Sequence, residues 1–87
     1  MSIHQTSQFK KDVKGQKKRG KDLGKLKAVI ELLLSGKPLP PRYNDHPLYG
    51  TWKNHRDCHI EPDWLLIYRV NGDALFLERT GTHSDLF

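Results

Sequence analysis

One hairpin constrains the fold of this chain more than any other feature. Residues 64–70 form a nearly continuous apolar and aromatic run, and residues 74–79 form a second strand-like run. Asn71-Gly72 stands between them and is the strongest short signal for a two-residue β-turn. Counting back from a turn at those two residues predicts that Trp64 pairs with Arg79 and that both lie on one face at the far end of the hairpin.

Two helices and two further strands are predicted around this hairpin. Phe9 and Val13 fall on one side of a lysine-rich helix that begins after residue 7, and Gly20 provides a left-handed stop. A second helix runs from about residue 21 to residue 34 with a broad apolar stripe. Residues 51–60 alternate weakly as a strand before a Glu-Pro-Asp turn, and residues 2–5 are a candidate edge strand.

These elements predict an α+β fold, in which a basic N-terminal helical hairpin packs on a small antiparallel β-sheet. A chain of 87 residues hides only about 60–65% of its unfolded surface, which is enough for one modest core. We therefore expect residues 1–87 to form a single domain that binds no cofactor. The one cysteine forms no internal disulfide, and no apolar run approaches the roughly 20 residues that span a bilayer. The expected location is the cytoplasm, without membrane attachment.

Charge divides the chain into two halves. Residues 1–43 carry eleven Lys and Arg against three acids, whereas residues 44–87 carry four against seven. Basic side chains on one surface attract a phosphate backbone through counterion release, without selecting a sequence. The asymmetry favours a nucleic acid partner, with Lys14, Lys17, Lys18 and Lys21 as candidate contacts. The alternative is a solvated helix surface whose lysines only maintain solubility.

The residues that could perform chemistry occur in three short strings. These are Asp45-His46-Pro47-Leu48, His59-Ile60-Glu61-Pro62-Asp63-Trp64 and Glu78-Arg79-Thr80-Gly81-Thr82-His83. Together and in this order they resemble the YafQ-type toxins of the RelE superfamily, over about residues 39–87, while the N-terminal helices match only in kind. The resemblance implies a RelE-like, microbial RNase-type fold. It also implies a ribosome-dependent endoribonuclease that cuts messenger RNA and so inhibits translation.

RNA cleavage without a metal requires three kinds of group. A base removes the 2′-hydroxyl proton, donors or cations stabilise the charged phosphate, and an acid protonates the departing 5′-oxygen. The resemblance implies that four residues share the acid and base work: His46, His59, Asp63 and His83. It implies that Arg79 stabilises the phosphate and that Trp64 and Phe87 shape the site or stack on bases. Which group is the acid and which is the base stays open.

Other interpretations of these residues are available. A tryptophan in a strand, such as Trp64, is more often buried in the core than stacked on a base. An arginine at a strand end, such as Arg79, is usually solvated. A metal site is disfavoured, because zinc needs three or four ligands and Arg56 and Arg79 place positive charge among the histidines. The second functional hypothesis is a non-catalytic RNA- or ribosome-binding module that uses the lysine helix and the aromatic strand face.

The resemblance also implies partners. The ribosome and its messenger RNA would be the target of such a toxin. A cognate acidic antitoxin, DinJ- or RelB-like with a ribbon-helix-helix DNA-binding part, would neutralise it in a heterotetramer. An acidic, disordered segment that folds on binding would suit the excess of positive charge in residues 1–43.

Overall fold

The computed structural model describes residues 1–87 as five strands and three helices. The strands are β1 (Ser2–Gln5), β2 (His46–Pro47), β3 (Arg56–Glu61), β4 (Trp64–Asn71) and β5 (Ala74–Gly81). The helices are α1 (Ser7–Lys18), α2 (Leu23–Leu34) and α3 (His83–Leu86). One sheet holds all strands in the order β1-β5-β4-β3-β2. The predicted α+β fold is confirmed, although β1 runs parallel to β5 and makes the sheet mixed.

The two long helices begin and end where local chemistry directs them. The Thr6 hydroxyl accepts from the Phe9 amide at the start of α1, and the Asp22 carboxylate accepts from the Gly24 amide at the start of α2. Gly20 separates the helices with φ +85°, the left-handed conformation predicted for it. No helix is both long enough and apolar enough to cross a membrane.

The main core lies between these helices and one face of the sheet, which we call the α1/α2 face. Trp64, Leu66 and Tyr68 of β4 and Leu75 and Leu77 of β5 are buried there. Helix residues Phe9, Leu26 and Val29 pack against them. The other side, the α3 face, buries Leu65 and Ile67 against Leu86 of α3. Residues that alternate along β4 therefore enter two different clusters.

The predicted pairing of Trp64 with Arg79 is wrong. The turn consists of Gly72 and Asp73, so that Asn71 pairs with Ala74. Gly72 has φ +60° and Asp73 does not have positive φ, which matches a turn with glycine at its first central position, whereas the predicted Asn-Gly turn requires positive φ at both.

A bulge changes the register of this hairpin a second time. Tyr68 pairs with Leu77 and Ile67 pairs with Arg79, which leaves Glu78 unpaired. Arg79 therefore shares its cross-strand position with Ile67 of the α3 face, while Trp64 belongs to the α1/α2 face. The structure separates the two residues that the sequence interpretation had joined.

Candidate active site

Three imidazoles converge at one end of the α3 face. His46 lies on β2, His59 on β3 and His83 at the first position of α3. The His59 ring centroid is 6.2 Å from that of His46 and 5.6 Å from that of His83. Asp57 joins them because alternation along β3 puts it on the same face as His59 and because it pairs with His46 of β2.

The position of His83 depends on the short helix that follows β5. The Thr82 hydroxyl accepts from the Asp85 amide while the Asp85 carboxylate accepts from the Thr82 amide, which is a capping box. Arg19, which follows the last residue of α1, donates to the same carboxylate at 2.6 Å and holds the pKa of Asp85 well below its usual range. A side chain at Gly81 would lie 2.9 Å from Asp85, so glycine is needed for this close return.

His83 forms a pair with Asp63 of the β3–β4 turn. Oδ1 of Asp63 accepts from the His83 amide at 2.9 Å and from Nδ1 of the ring at 2.5 Å. These bonds, the one from the amide first, lower the pKa of Asp63. Because a carboxylate accepts, Nδ1 carries the hydrogen, and Nε2 of the neutral ring is left as an acceptor. The pair therefore presents an oriented base at a half-exposed position.

His46 forms a different kind of pair with Asp57. Nδ1 of His46 lies 2.7 Å from the Asn44 carbonyl oxygen, which can only accept, so Nδ1 carries a hydrogen. Nε2 lies 3.0 Å from Oδ1 of Asp57, and the buried Oδ1 has no hydrogen bond of good geometry. Two unprotonated acceptors at that distance would repel each other. The pair is therefore favoured when it holds a proton, on Nε2 or on the carboxyl group.

Asp57 is the site residue that the sequence interpretation missed. It is 3% exposed, and burial raises its pKa, while His46, His59 and His83 oppose that rise. The spacing Asp57-Cys58-His59 contained the signal, since residues at i and i+2 of a strand share a face. A buried carboxyl group with a raised pKa beside histidines is a common feature of acid–base sites.

Arg79 is held away from this cluster by an acid on α1. Nε of Arg79 donates to Oδ2 of Asp12 at 2.7 Å, and Nη2 donates to Oδ1 at 3.2 Å. The hydrogen bond to Asp12 is the largest cause of the raised pKa of Arg79. No hydrogen bond or ion pair joins Arg79 to a histidine of the cluster. Contact with a phosphate through the same Nε–Nη2 edge would require Asp12 to be displaced, whereas Nη1 makes no hydrogen bond.

The predicted aromatic contacts have different outcomes. Trp64 is 0% exposed and donates from Nε1 to the Thr80 hydroxyl at 2.9 Å. Stacking of Trp64 on a base is therefore contradicted, because its ring is enclosed in the core beneath α1 and α2. Phe87 is 62% exposed, and its amide donates to the His83 carbonyl oxygen, which ties its backbone to that of His83.

The predicted lysine contacts divide into two groups. Lys14, Lys17 and Lys18 are exposed on α1 and form no ion pair. Lys21 lies outside the helix and bonds through Nζ to Glu61 at 3.1 Å. The first three are free to meet an external anion, whereas Lys21 is already partly neutralised.

The histidine cluster has no obvious metal geometry. No group of three or more His, Cys, Asp or Glu side chains is arranged to hold a metal ion. One ring nitrogen of His46 and one of His83 are already bonded to a carbonyl oxygen and a carboxylate, respectively. Proton transfer is the chemistry that this arrangement serves best.

Comparison with known proteins places these features in context. The family model of the bacterial toxin YafQ of type II toxin-antitoxin systems matches residues 1–87. The mRNA interferase toxin YafQ of Escherichia coli strain K12 is 52% identical over 86 residues, which cover 98% of this chain and 94% of that protein.

Two kinds of solved structure are similar over the whole chain. YafQ in the E. coli DinJ-YafQ toxin-antitoxin complex has a TM-score of 0.92 and 52% identity, covering 99% of this chain and 96% of that chain. A metal-bound toxin from Helicobacter pylori has a TM-score of 0.93 and 44% identity, covering 100% and 99%.

Proposed function

The chain belongs to the YafQ family of bacterial toxins from type II toxin-antitoxin systems, and from that membership we propose that it is an mRNA interferase that cuts ribosome-bound messages in the cytoplasm. The observation that best supports cleavage is the juxtaposition of two unlike His–Asp pairs around His59. One pair presents an acceptor nitrogen, and the other is favoured when protonated. An acid and a base on either side of a phosphate are what 2′-hydroxyl attack requires.

We assign the base to His83 and the acid to the His46–Asp57 pair. Nε2 of His83 removes the 2′-hydroxyl proton, and the 2′-oxygen then forms a bond to phosphorus as the bond to the 5′-oxygen breaks. The proton held between His46 and Asp57 passes to that 5′-oxygen. The products are a 2′,3′-cyclic phosphate and a 5′-hydroxyl. His59, between the two pairs, is placed to donate to the non-bridging oxygens.

The remaining predicted residues act around this centre. Asp63 fixes the tautomer and orientation of His83 through its two hydrogen bonds. Phe87 is exposed beside α3 and is available for a base to stack on it. Arg79 stabilises the phosphate through Nη1, or through its Nε–Nη2 edge if substrate displaces Asp12. Lys14, Lys17 and Lys18 attract the RNA backbone without base preference, with a smaller contribution from Lys21.

The proposed reaction does not depend on a metal ion. The absence of a three-ligand arrangement and the engagement of two ring nitrogens support this proposal. The metal-bound relative from H. pylori makes the question testable. We expect cleavage to persist in EDTA, and loss on chelation with rescue by zinc, copper or magnesium would contradict the proposal.

A DinJ-like acidic antitoxin is the proposed protein partner, in a heterotetramer, because the E. coli relative is found in a DinJ-YafQ toxin-antitoxin complex. The unpaired lysines of α1 offer the complementary charge. Co-expression of the acidic protein encoded beside this toxin should restore growth and give a complex that co-purifies. Association should slow as salt rises, since opposite surface charges steer the encounter.

The experiment that tests the function compares the wild type with His83→Ala. Both are induced in bacteria, and the 5′ ends of messages are mapped, with the chemistry of the new ends determined on ribosome-bound and on free RNA. Cleavage by the wild type alone, with 5′-hydroxyl ends, supports the proposal. Equal growth inhibition without cleavage by both forms would instead identify a non-catalytic ribosome-binding module that uses the lysine surface.

A further inference from the structure

A second concavity lies directly beside the histidine cluster and has no part in the chemistry described above. It is a cavity of about 560 Å³ between α2, the turn at residues 61–63 and the short 3₁₀ helix Pro41–Tyr43. Its walls include Lys25, Arg42, Tyr43, His59, Glu61 and Pro62. His59 is therefore a shared wall, since it also lies 5.6 Å from His83 between ring centroids. A molecule in the cavity would be continuous with one at the cluster.

The charge around this cavity is positive even after internal pairing. Both oxygens of Glu61 are occupied, by Lys25 at 2.9 Å and by Lys21 at 3.1 Å. These two bonds lower the pKa of Glu61 and keep it ionised, so two lysines share one negative charge. Arg42 has no carboxylate partner among the ion pairs of the structure. The rim therefore carries an excess of positive charge that an external anion would neutralise.

Arg42 is oriented without being neutralised. Its Nη2 donates to the Tyr43 hydroxyl at 2.9 Å, and its guanidinium carbon lies 4.8 Å from the centroid of the Tyr43 ring. Tyr43 itself is buried, so it gives the arginine a fixed support. The remaining donors of the guanidinium are open to a ligand. A supported, unpaired guanidinium has the fork geometry that binds a phosphate group through two hydrogen bonds.

The size and the walls of the cavity narrow the class of ligand. Its volume falls within the ~300–1,000 Å³ usual for sites that hold a small organic ligand, whereas an inorganic anion would need far less space. Ile60 and Pro62 add apolar surface to walls that also carry the basic side chains of Lys25 and Arg42. Apolar surface for a flat ring and a cation for a phosphate, within one cavity, fit a nucleotide.

We propose that this cavity binds a nucleotide of the message next to the cleaved bond, with its phosphate on Arg42 and its base against Pro62 and Ile60. The inference rests on the proposed function, because His59 connects the cavity to the reacting phosphate. It makes Arg42 a determinant of substrate affinity. Lys25 and Glu61, which form an ion pair, make up part of the rim of the cavity.

A binding experiment tests the cavity independently of cleavage. Full-length His83→Ala protein is titrated with the 3′,5′-bisphosphates of adenosine, guanosine, cytidine and uridine while backbone amide signals are followed by NMR. The amides of residues 42–43 and 59–61 should shift for at least one base. Arg42→Gln should weaken that binding about 10- to 100-fold, the usual loss for a hydrogen-bonded charge. Arg42→Lys should lose less, because it keeps the charge but not the fork.

Arg69→Gln provides the matched control. Arg69 also lies over an aromatic ring, 3.8 Å from the Phe76 centroid, but it pairs with Glu78 and does not line the cavity. Its loss should leave nucleotide affinity unchanged. The inference would be overturned if Arg42→Gln did not change the nucleotide affinity of the His83→Ala protein. It would also be overturned if Arg69→Gln lowered that affinity as much as Arg42→Gln does, or if the NMR shifts were confined to α1. Binding of a glutamate-rich peptide at these amides when no nucleotide shifts them would overturn it too, and would make the cavity an antitoxin contact.

A kinetic experiment separates this inference from the proposed function. In the otherwise wild-type protein, Arg42→Gln should raise KM for the message at least tenfold and change kcat less than threefold, for every base beside the cut alike, because a phosphate contact does not distinguish bases. Normal cleavage with unchanged KM would overturn the cavity assignment and leave the nuclease intact. Arg42-dependent nucleotide binding in a protein that cuts no RNA would support the cavity and overturn the cleavage mechanism.

Discussion

One buried polar group on each face of the sheet has a different hydrogen-bonding environment. On the α1/α2 face the buried Trp64 donates to Thr80, and the Thr80 hydroxyl donates to the Leu65 carbonyl oxygen at 2.7 Å. On the α3 face, by contrast, buried Asp57 keeps an oxygen without a good hydrogen bond, 3.0 Å from a histidine nitrogen. Satisfied polar groups fix a fold, whereas an unsatisfied one stores free energy that a reaction can use.

The contrast is sharpest between two neighbours on β3. Cys58 points into the main core with 0% exposure, and burial raises the pKa of its thiol to about 12, so it is inert at neutral pH. Asp57, one residue earlier, reaches the histidine cluster on the other face. The period of two in a strand thus lets one segment serve stability and chemistry at once, and substitutions on the two faces should have opposite signatures.

The largest expected effect is the loss of cleavage in His83→Ala. Removal of one proton-transfer group should lower kcat about 10²–10⁴-fold. The melting temperature should change little, because the side chain is 53% exposed. The hydrogen bond from the backbone amide of residue 83 to Asp63 does not depend on the ring. Single-turnover cleavage and thermal unfolding measure the two quantities. His4→Ala is the control, since His4 stacks on Phe76 and lies outside the cluster.

A fall in melting temperature that accounts for the lost cleavage would contradict this assignment. His83 would then be a structural residue of the β5–α3 junction, and the base would have to be sought at His59.

The second effect is a gain of stability with a loss of activity in Asp57→Asn. We expect kcat to fall about 100-fold, because the His46–Asp57 pair loses the carboxyl group that helps to hold the proton for the leaving 5′-oxygen. The pKa of Asp57 is raised by burial in the folded state, so the fold favours the protonated form, and ionisation at neutral pH destabilises it. Asparagine removes that destabilisation, with a gain of about 1 kcal/mol at pH 7.

The gain should depend on pH in a stated direction. As pH falls through the folded-state pKa of Asp57, the wild-type carboxyl group becomes neutral and the advantage of the variant disappears. Urea unfolding of both proteins from pH 4 to pH 8 measures this difference. The control is Asp73→Asn, whose side chain is 90% exposed and should show no such trend. A constant difference across this range would mean that asparagine acts by packing instead of by charge.

Much of the fold could be predicted from the sequence because its signals are local and strong. The apolar stripe of α2, the turn glycine between the helices and the apolar run of β4 each depend on residues within one element. The predicted hairpin register was wrong for two reasons. The register depends on whether Gly72 is the first or the second turn residue, and it also depends on a bulge at Glu78 that no local sequence pattern marks. β2 and α3 were missed because two and four residues are too short to show periodicity.

The histidines of the site were predicted from the sequence, but their pairing with Asp63 and Asp57 was not. The strings that carry the family resemblance contain His46, His59, Asp63 and His83, and the structure brings all four together. The roles of Arg79 and Trp64 also came from the resemblance, whereas the structure pairs Arg79 with Asp12 and encloses Trp64 in the core. The ion pair of Arg79 with Asp12 joins residues far apart in the chain and is visible only once α1 is placed on the edge of β5.

The third effect is a loss of stability without a loss of chemistry in Trp64→Phe. Phenylalanine fills most of the space but removes the hydrogen bond to Thr80, which together should lower the free energy of unfolding by about 2 kcal/mol. For a domain of this size the melting temperature should fall by roughly 10 °C. At a temperature where the variant is folded, kcat should stay within threefold of the wild type.

Trp52→Phe is the matched control, since Trp52 is half-buried on the α3 face and should lose less stability. A loss of message affinity in Trp64→Phe, at full folding, would show that this ring contacts RNA and that the core opens on binding.

The smallest effect, Cys58→Ala, tests the separation of the faces most directly because it changes the neighbour of Asp57. Replacing the thiol by hydrogen leaves a small gap in the main core, which should cost about 1 kcal/mol. Cleavage should be unchanged in rate and in its dependence on pH, since the thiol faces away from the histidines and stays protonated. In the wild type, a thiol reagent should label Cys58 only as fast as the core opens, and urea should speed the labelling. If Cys58→Ala instead slows cleavage as strongly as Asp57→Asn, the two faces are coupled through β3, and packing in the main core would have to be counted among the determinants of the His46–Asp57 geometry.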